Sequence, residues 1–474
     1  MLATDMAGEK RVEEHHFCVG QDTLDNEGAS VKAIASICLL GSLSTTPALS
    51  ENIDRIVDGE LSELVTAYKD IHAHPELSHQ EKETASRLAG ELRMAGFAVT
   101  ERVGKYPDGT QAYGVVGIME NGPGPRLLIR ADMDALPVVE ETGLTYASHV
   151  KTKNAAGEEV GVMHACGHDV HVTTMMGTAR ALAATRSKWH GTVMLIGQPS
   201  EEKIDGAKAM LADGLYERFG TPTLAIALHD TNSRAAGTVS ITSGAAMAGS
   251  TSVDVTLRGI GGHGAQPQNG KDPIVMAGEF IVQLQTIVSR QENPRDPTVV
   301  TVGTIHGGTK RNIIPYEVKL ELTTRAFSDK AGQIVVDGIR RTAQGVALAA
   351  GVPEDRAPIV TVYPDESTPP TYNDPALASR TKAALVAALG AHNVFDEDPI
   401  MASEDFGLFG LPGHKIPTVI FWLGAMDPAK FAAAEAAGSF LPGPHTSRFE
   451  PLPEPTLRTG VIAMTSVATA LLKR

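Results

Sequence analysis

The sequence predicts an α/β protein on a mostly parallel sheet, interrupted by a small α+β module with one open sheet face. Three observations carry this. From Glu51 onward, short apolar runs ending in acidic or histidine residues alternate with helical periods. A middle region, 248–365, changes to apolar–polar alternation, as in half-exposed antiparallel strands. The helix–strand alternation then resumes over 366–474, so the domain begun at 51–247 closes after the insertion.

The elements follow in order. "IDRIVDGELSELVTAYKDIHAHPE" places Ile53, Ile56, Val57, Leu61, Leu64, Val65 and Tyr68 on one stripe, an amphipathic helix. "RLLIRADMD", "GTVMLIGQPSEE" and "PTLAIALHD" are strands, with "VTTMMGTARALAA" and "GAKAMLADGLY" the helices between them. Sheets of this kind place their sites at the carboxyl ends of strands, where these polar residues fall. In the module, "STSVDVTLRG", "TVVTVGTIHGG" and "EVKLELTTRAF" read as antiparallel strands interleaved with helices "DPIVMAGEFIVQLQTIVSR" and "KAGQIVVDGIRRTAQGVALAAG". "ALASRTKAALVAALG" and "KIPTVIFWLGA" return to the first domain, and "KFAAAEAAG" reads as a surface helix.

Composition narrows the function. The 474 residues, 42% hydrophobic and 20% charged, suffice for two or three domains and a large core. A formal net charge of -15 opposes attraction to phosphate backbones or anionic lipid, and 5% aromatics leave little for base stacking. The expected partner is a small molecule. Cys18, Cys38 and Cys166 form no readable disulfide framework. Residues 1–50 read as a leader: 31–50 resembles a signal peptide, with an apolar run from Ala33 to Leu43 and Ala48-Leu49-Ser50 as a cleavage site. Translation would then start near Val31. The expectation is a soluble secreted or periplasmic protein, or a cytoplasmic one if the segment is not cleaved.

The stretch "GVMHACGHDVHV" packs Cys166 and three histidines into His164 to His171. Cys166 and His168 can face one centre from a turn that opens a helix, and thiolate with imidazole favours Zn or a similar ion over Mg or Ca. Alone, the pair fits a buried Cys and a satisfied His equally well. "GQPSEE" ends a strand with Glu201 and Glu202, which suits a metal ligand beside a general base, or two solvated acids opening a helix. His229 ends the next strand, and His445 follows a Gly-Pro turn. Five candidate ligands exceed what one four-coordinate Zn with an open position uses. Two ions bridged by an activated water are the natural inference, with Glu201 taking its proton.

The motifs "HAHPELSHQE", "RADMDALPV", "HACGHDVH", "QPSEE", "GGHGAQP", "RNIIP", "SEDF" and "PHTSRF" resemble those of the zinc aminopeptidase-like amidohydrolases, in the subgroup of hippurate and indole-acetyl-amino-acid hydrolases. The resemblance spans Ile53 to Lys473. It implies a catalytic domain with an inserted ferredoxin-like lid that also serves dimerisation. It makes Cys166, His168, Glu202, His229 and His445 the ligands of two divalent ions, Zn or else Mn, Co or Ni, and Glu201 the base. It adds His263 and Asn312 as lid residues that approach the substrate and help to stabilise the oxyanion, often across a dimer interface, which makes His263 a catalytic residue. Arg325 would suit a substrate carboxylate, or else form an ordinary salt bridge on an exposed strand. Asp134 would orient a histidine from behind. His164 and His171 stand behind the ligands too, while Asp132 and Glu404 receive no role. Ser200 and Asp230 depart from the subgroup pattern. The implied activity is cleavage of N-acyl amino acids. Peptidase action on short peptides, a noncatalytic metal-containing binding protein and a metal-free hydrolase with Cys166 as nucleophile remain alternatives.

Overall fold

A computed structural model describes residues Pro47 to Lys473, with side chains from Asn52 onward. Most of the signal-like segment therefore lies outside the described residues. Helix α1 (Pro47–Ala73) turns Ile53, Val57, Leu64, Tyr68 and Ile71 inward, as its stripe predicts. No helix among the described residues is long and apolar enough to cross a membrane.

The main sheet has eight strands in the order β1-β2-β6-β3-β7-β18-β8-β17. They are β1 (Ala98–Lys105), β2 (Gln111–Asn121), β3 (Arg126–Asp132), β6 (Gly191–Gln198), β7 (Leu224–Ala235), β8 (Val239–Ile241), β17 (Val394–Asp396) and β18 (Thr418–Met426). The central four, β6, β3, β7 and β18, run parallel; β1 and β2 form an antiparallel edge. Alternate residues feed two cores. Leu127, Ile129, Val193 and Leu195 meet α1, α2 (Lys82–Met94), α3 (His168–Ala184), α8 (Pro375–Leu389) and α10 (Pro453–Leu471). Leu128, Met194 and Ile196 face α4 (Gly206–Ala212), α5 (Leu215–Phe219) and the turn at Phe406–Gly410. A sheet covered on both faces is thus built by period-two alternation within uniformly apolar strands.

One reading needed refinement, and one helix was not read at all. "GAKAMLADGLY" is two helices, because Gly214 adopts φ +77° between α4 and α5. Helix α10 is buried nearly all round, so it carries no amphipathic stripe for periodicity to find. The Ala-rich α9 (Pro428–Ala437) has no fully buried residue and rests on the core only through Phe431.

Strands β10 (Gly249–Arg258), β12 (Thr298–Gly307), β14 (Glu317–Ala326) and β15 (Ile359–Thr368) form a separate antiparallel sheet in the order β12-β14-β10-β15. Helices α6 (Pro273–Thr286) and α7 (Asp329–Ala349) cover the face of Val253, Val255, Leu257, Leu320 and Leu322. The other face carries Ser252, Asp254, Lys319, Glu321, Thr323 and Arg325, at most half-buried. Three two-stranded ribbons complete the structure: β4 (Lys151–Lys153) with β5 (Glu159–Gly161), β9 (Gly244–Met247) with β16 (Thr371–Asn373), and β11 (Gly262–His263) with β13 (Ile313–Ile314).

Candidate active site

The carboxyl ends of β3 and β6 converge with the start of α3 and with the middle of β7; His229 does not end its strand, because β7 continues beside β18 to Ala235. Gly167 caps α3 at φ +77°, and a Cβ there would lie 2.2 Å from Asp230 Oδ2, so glycine is required by both conformation and space. His445 arrives from the far end of the chain at φ +66°, its N–H donating to Ala165 O at 2.7 Å.

These elements bring the five predicted ligands and Glu201 together. Cys166 Sγ lies 3.6 Å from His229 Nε2. His168 Nε2 lies 3.9 Å from Glu202 Oε1 and 4.0 Å from Glu201 Oε2, and His445 Nε2 lies 3.4 Å from Glu202 Oε2. Ligand atoms at ~2.0–2.3 Å from a tetrahedral ion stand ~3.3–3.8 Å from one another, close to these spacings. The donors fall into overlapping groups, Cys166–His168–His229 and Cys166–Glu202–His445, that share the thiol. His168 Nε2 and Glu202 Oε1 are buried with no hydrogen-bond partner among the described residues. The other ring nitrogens are committed elsewhere: His168 Nδ1 to Asp134 O at 2.8 Å and His229 Nδ1 to Asp230 O at 2.7 Å. Each imidazole is thereby oriented with Nε2 turned toward the other donors, as a metal ligand needs. The residues fit a dimetal centre. His445 is exposed, so the site opens to solvent on its side.

The remaining predicted residues lie on the inserted module. His263 pairs with Ile313, and Asn312 O accepts from Gly264 N at 2.9 Å; both side chains are exposed, and these bonds stay within the module. Arg325 is half-buried, donating to Ser250 Oγ, to Thr323 Oγ1 at 3.0 Å and to Thr324 O at 3.3 Å. It has no carboxylate partner among the described residues, so the ordinary salt bridge is not what holds it.

Residues 128–437 match the model of peptidase family M20/M25/M40. The chain belongs to that family. It is a metal-dependent amidohydrolase. It is 35% identical over 405 residues to the IAA-amino acid hydrolase ILR1-like 4 of Arabidopsis thaliana, covering 85% of this chain and 84% of that protein. It is 35% identical over 341 residues to the hippurate hydrolase of Campylobacter jejuni, covering 72% and 82%. Among solved structures, a dinuclear metal-binding peptidase of the M20 family from Bacillus subtilis is similar at 28% identity and a TM-score of 0.69, covering 88% of this chain and 99% of that one.

Around the dimetal site this M20-family chain builds a frame that its motifs did not reveal. Strand β6 ends at Gln198, and the turn that follows holds Ser200 at φ +52°. Three successive N–H groups of that turn are held from outside: Ser200 N by Glu81 Oε1 at 2.8 Å, Glu201 N by Asp134 Oδ1 at 3.0 Å and Glu202 N by Asp134 Oδ2 at 3.1 Å. Ser78 Oγ also donates to Asp134, at 2.6 Å. Asp134 thus orients His168 through its carbonyl and the glutamate pair through its carboxylate. Because the strand has ended, Glu201 and Glu202 reach the same imidazole rather than opposite faces.

A second frame surrounds Arg130, fully buried in β3. Its guanidinium donates to Asp132 Oδ2 at 2.5 Å, Glu404 Oε1 at 2.6 Å, Asp405 Oδ1 at 3.2 Å and Gln198 Oε1 at 2.8 Å. Glu404 and Asp132, left without a role by their motifs, are partners of this arginine. Asp132 also holds His171 Nδ1 at 2.5 Å, and Asp230 Oδ1 meets His171 Nε2 at 3.1 Å, so His171 sits between two carboxylates behind the ligands. The signal for Arg130 was a lone charge inside a buried apolar run, which demands partners.

The electrostatics ask for cations. Burial, then Glu404 and Glu202, push Glu201 well above the usual carboxylate range against the pull of Arg130. Burial also pushes the Cys166 thiol up, and Glu202 and Glu201 push it further. A thiolate nucleophile working without metal is disfavoured in such surroundings.

Proposed function

We propose that the protein hydrolyses the amide bond of N-acyl amino acids and releases the free amino acid. One observation carries this choice of substrate: Arg325, half-buried and without a carboxylate partner among the described residues, offers a guanidinium to the free carboxylate beside a scissile amide. The names of its relatives agree in kind, an IAA-amino acid hydrolase, a hippurate hydrolase and an N-acetylcysteine deacetylase of Bacillus subtilis.

Cys166, His168, Glu202, His229 and His445 would hold two divalent ions. The thiolate and imidazole donors favour Zn, with Mn, Co or Ni as alternatives. When bound, such ions polarise the amide carbonyl and make a water acidic at neutral pH. Glu201, whose carboxylate form such cations would favour, would take the water's proton and carry it to the leaving amine. Asp134, Ser78 and Glu81 keep Glu201 in place during that transfer. The inserted module acts as a lid. His263 and Asn312, exposed on it and bonded within it, are presented by a second copy of the chain in a homodimer. The leader, 31–50 being signal-like, directs the protein to the periplasm or outside the cell.

The test is hydrolysis of a panel of N-acyl amino acids and short peptides by the purified chain, before and after metal removal, with Glu201→Gln alongside. Activity on acyl amino acids that disappears with chelator, returns with Zn, Mn or Co, and is lost in the variant supports the reading. Faster turnover of peptides would move the substrate class. Activity that survives full metal removal would refute the metal mechanism.

A further inference from the structure

The inserted module joins the main domain through two covalent crossings, at Met247–Gly249 and Thr368–Thr371. Gly249 packs so closely on the second that a Cβ would lie 2.8 Å from Pro370 N and 2.9 Å from Thr368 O. Two strands crossing at one point make an axle, not a rigid joint. Just above it the ladder between β10 and β15 breaks: Ser250 pairs with Thr368 and Ser252 with Tyr363, so Thr251 alone faces Pro364 to Ser367. Carbonyls released from a ladder need other donors. Ser252 Oγ serves Glu366 O at 3.2 Å, and the other three go to one ammonium group. Lys208 Nζ, reaching from α4 of the main domain, donates to Pro364 O at 3.0 Å, Asp365 O at 2.8 Å and Ser367 O at 2.7 Å. Its three N–H bonds are all used.

The foot of this contact is the catalytic turn. Helix α4 starts where Gly206 N donates to Ser200 O at 3.0 Å and Ala207 N to Asp405 Oδ2 at 3.0 Å, two and one residues before Lys208. We propose that Lys208 is a latch, a positioning residue that sets the angle of the inserted module against the turn carrying Glu201 and Glu202. The module's open face, with Arg325 paired to Ser250 in register, is held relative to the reacting centre by this side chain, beside the bond from Thr368 Oγ1 to Glu404 O at 3.3 Å at the second crossing. Substrate affinity therefore depends on a residue that touches no substrate. The kinetic part of this inference rests on the amidohydrolase reading above; the structural part does not.

The test uses the full metal-loaded chain with Cys18 and Cys38 replaced by serine and spin labels at Met94→Cys on α2 and Leu348→Cys on α7, both exposed (73% and 81%). Labelled chain is diluted with unlabelled chain, so that only distances within one copy are read. With Lys208→Met, the distance distribution should broaden and KM should rise by about tenfold, the weight of one charge-assisted contact. The loss in kcat should be smaller and metal content should equal that of the parent. Lys208→Arg, which keeps the charge but not the three-way geometry, should fall between. Lys208→Gln replaces the methionine variant if that one does not fold. A distribution superimposable on the parent's overturns the latch, and so does an unchanged KM with a broadened one. If the parent itself hydrolyses no acyl amino acid, the substrate reading fails and the distance distribution alone decides the latch.

Discussion

Replacing Asp134 by asparagine isolates the frame that holds the catalytic turn. The carboxylate accepts from Ser78 Oγ, Glu201 N and Glu202 N. An amide has one acceptor oxygen, so whichever way it is turned, one backbone N–H of the glutamate pair meets an NH2 group. A hydroxyl can rotate away from such a clash; a backbone N–H cannot. Losing one hydrogen bond to a charged acceptor at a buried site costs about 1.5–3 kcal/mol, and the freed turn carries both Glu201 and Glu202. A displacement of about 1 Å at a reacting group lowers the rate ~100-fold, so kcat of Asp134→Asn should fall by that order. Metal retention should weaken ~10-fold, since Glu202 moves while His168 keeps its bond to the Asp134 carbonyl. Steady-state kinetics, metal content after dialysis and a thermal melt read the three effects. Ser78→Ala is the control, because it removes only the rotatable donor and leaves both backbone bonds in place. If the two variants are equally impaired, or if Asp134→Asn turns over like the parent, the turn is not held as described.

Arg130→Met leaves Asp132, Glu404 and Asp405 buried without their cation and should destabilise the protein by about 3–5 kcal/mol, part of it recovered by adding Glu404→Gln; a denaturant titration of single and double variants checks this. Arg325→Lys should raise KM for N-acyl amino acids by about tenfold with little change in kcat, because a point charge replaces a planar fork, and equal KM values would remove Arg325 from the substrate site. His72 is buried; burial opposes its charged form, but Asp169 at 2.7 Å and Glu140 at 3.1 Å outweigh it and raise its pKa to about 10. Its contribution to stability is therefore full below the unfolded value of ~6.5 and is lost as pH rises toward 10, at about 1.4 kcal/mol per pH unit. In parallel unfolding titrations, the stability difference between parent and His72→Gln should shrink at that slope as pH rises from 6.5 toward 10. Chelation should lower the melting temperature, since ions at ~100-fold excess over their Kd contribute about 2.7 kcal/mol to the folded state; an unchanged melt would mean that the donors hold no ion.

How much of this was legible depended on whether a partner lies nearby in the chain or only in space. Cys166 and His168 share one turn, Glu201 follows a strand and His229 closes the apolar run within β7, so the donor cluster could be read as a set. Ser200 and Glu81 lie 119 residues apart, and Lys208 and Pro364 lie 156 apart. No local pattern marks either pair, because an N–H held by a distant carboxylate and a carbonyl held by a distant ammonium leave no periodicity. Arg130 is intermediate. A charge inside "RLLIRAD" shows that partners must exist, but only the fold shows that they are Glu404 and Asp405, more than 270 residues away. Helix α10 escaped for the opposite reason: an element buried on all sides has no polar face to reveal its period.

The two parts of the fold carry different kinds of precision. In the main domain, His229 lies on a strand of the eight-stranded sheet, and the turn that carries Glu201 and Glu202 is held by the buried Glu81 and Asp134. That suits chemistry, where small errors in position are costly. The inserted module holds its candidate substrate groups on an open sheet face above an axle of two crossings, with one ammonium gripping a broken ladder. Groups held in that way can change distance to the reacting centre without disturbing one another's register. On the proposed reading, strict placement would fall to the base and the metal-binding residues, while contact with the substrate's carboxylate would be left to a surface that can turn. One sheet could not do both, since a frame stiff enough to place Glu201 is too stiff to admit and release a substrate.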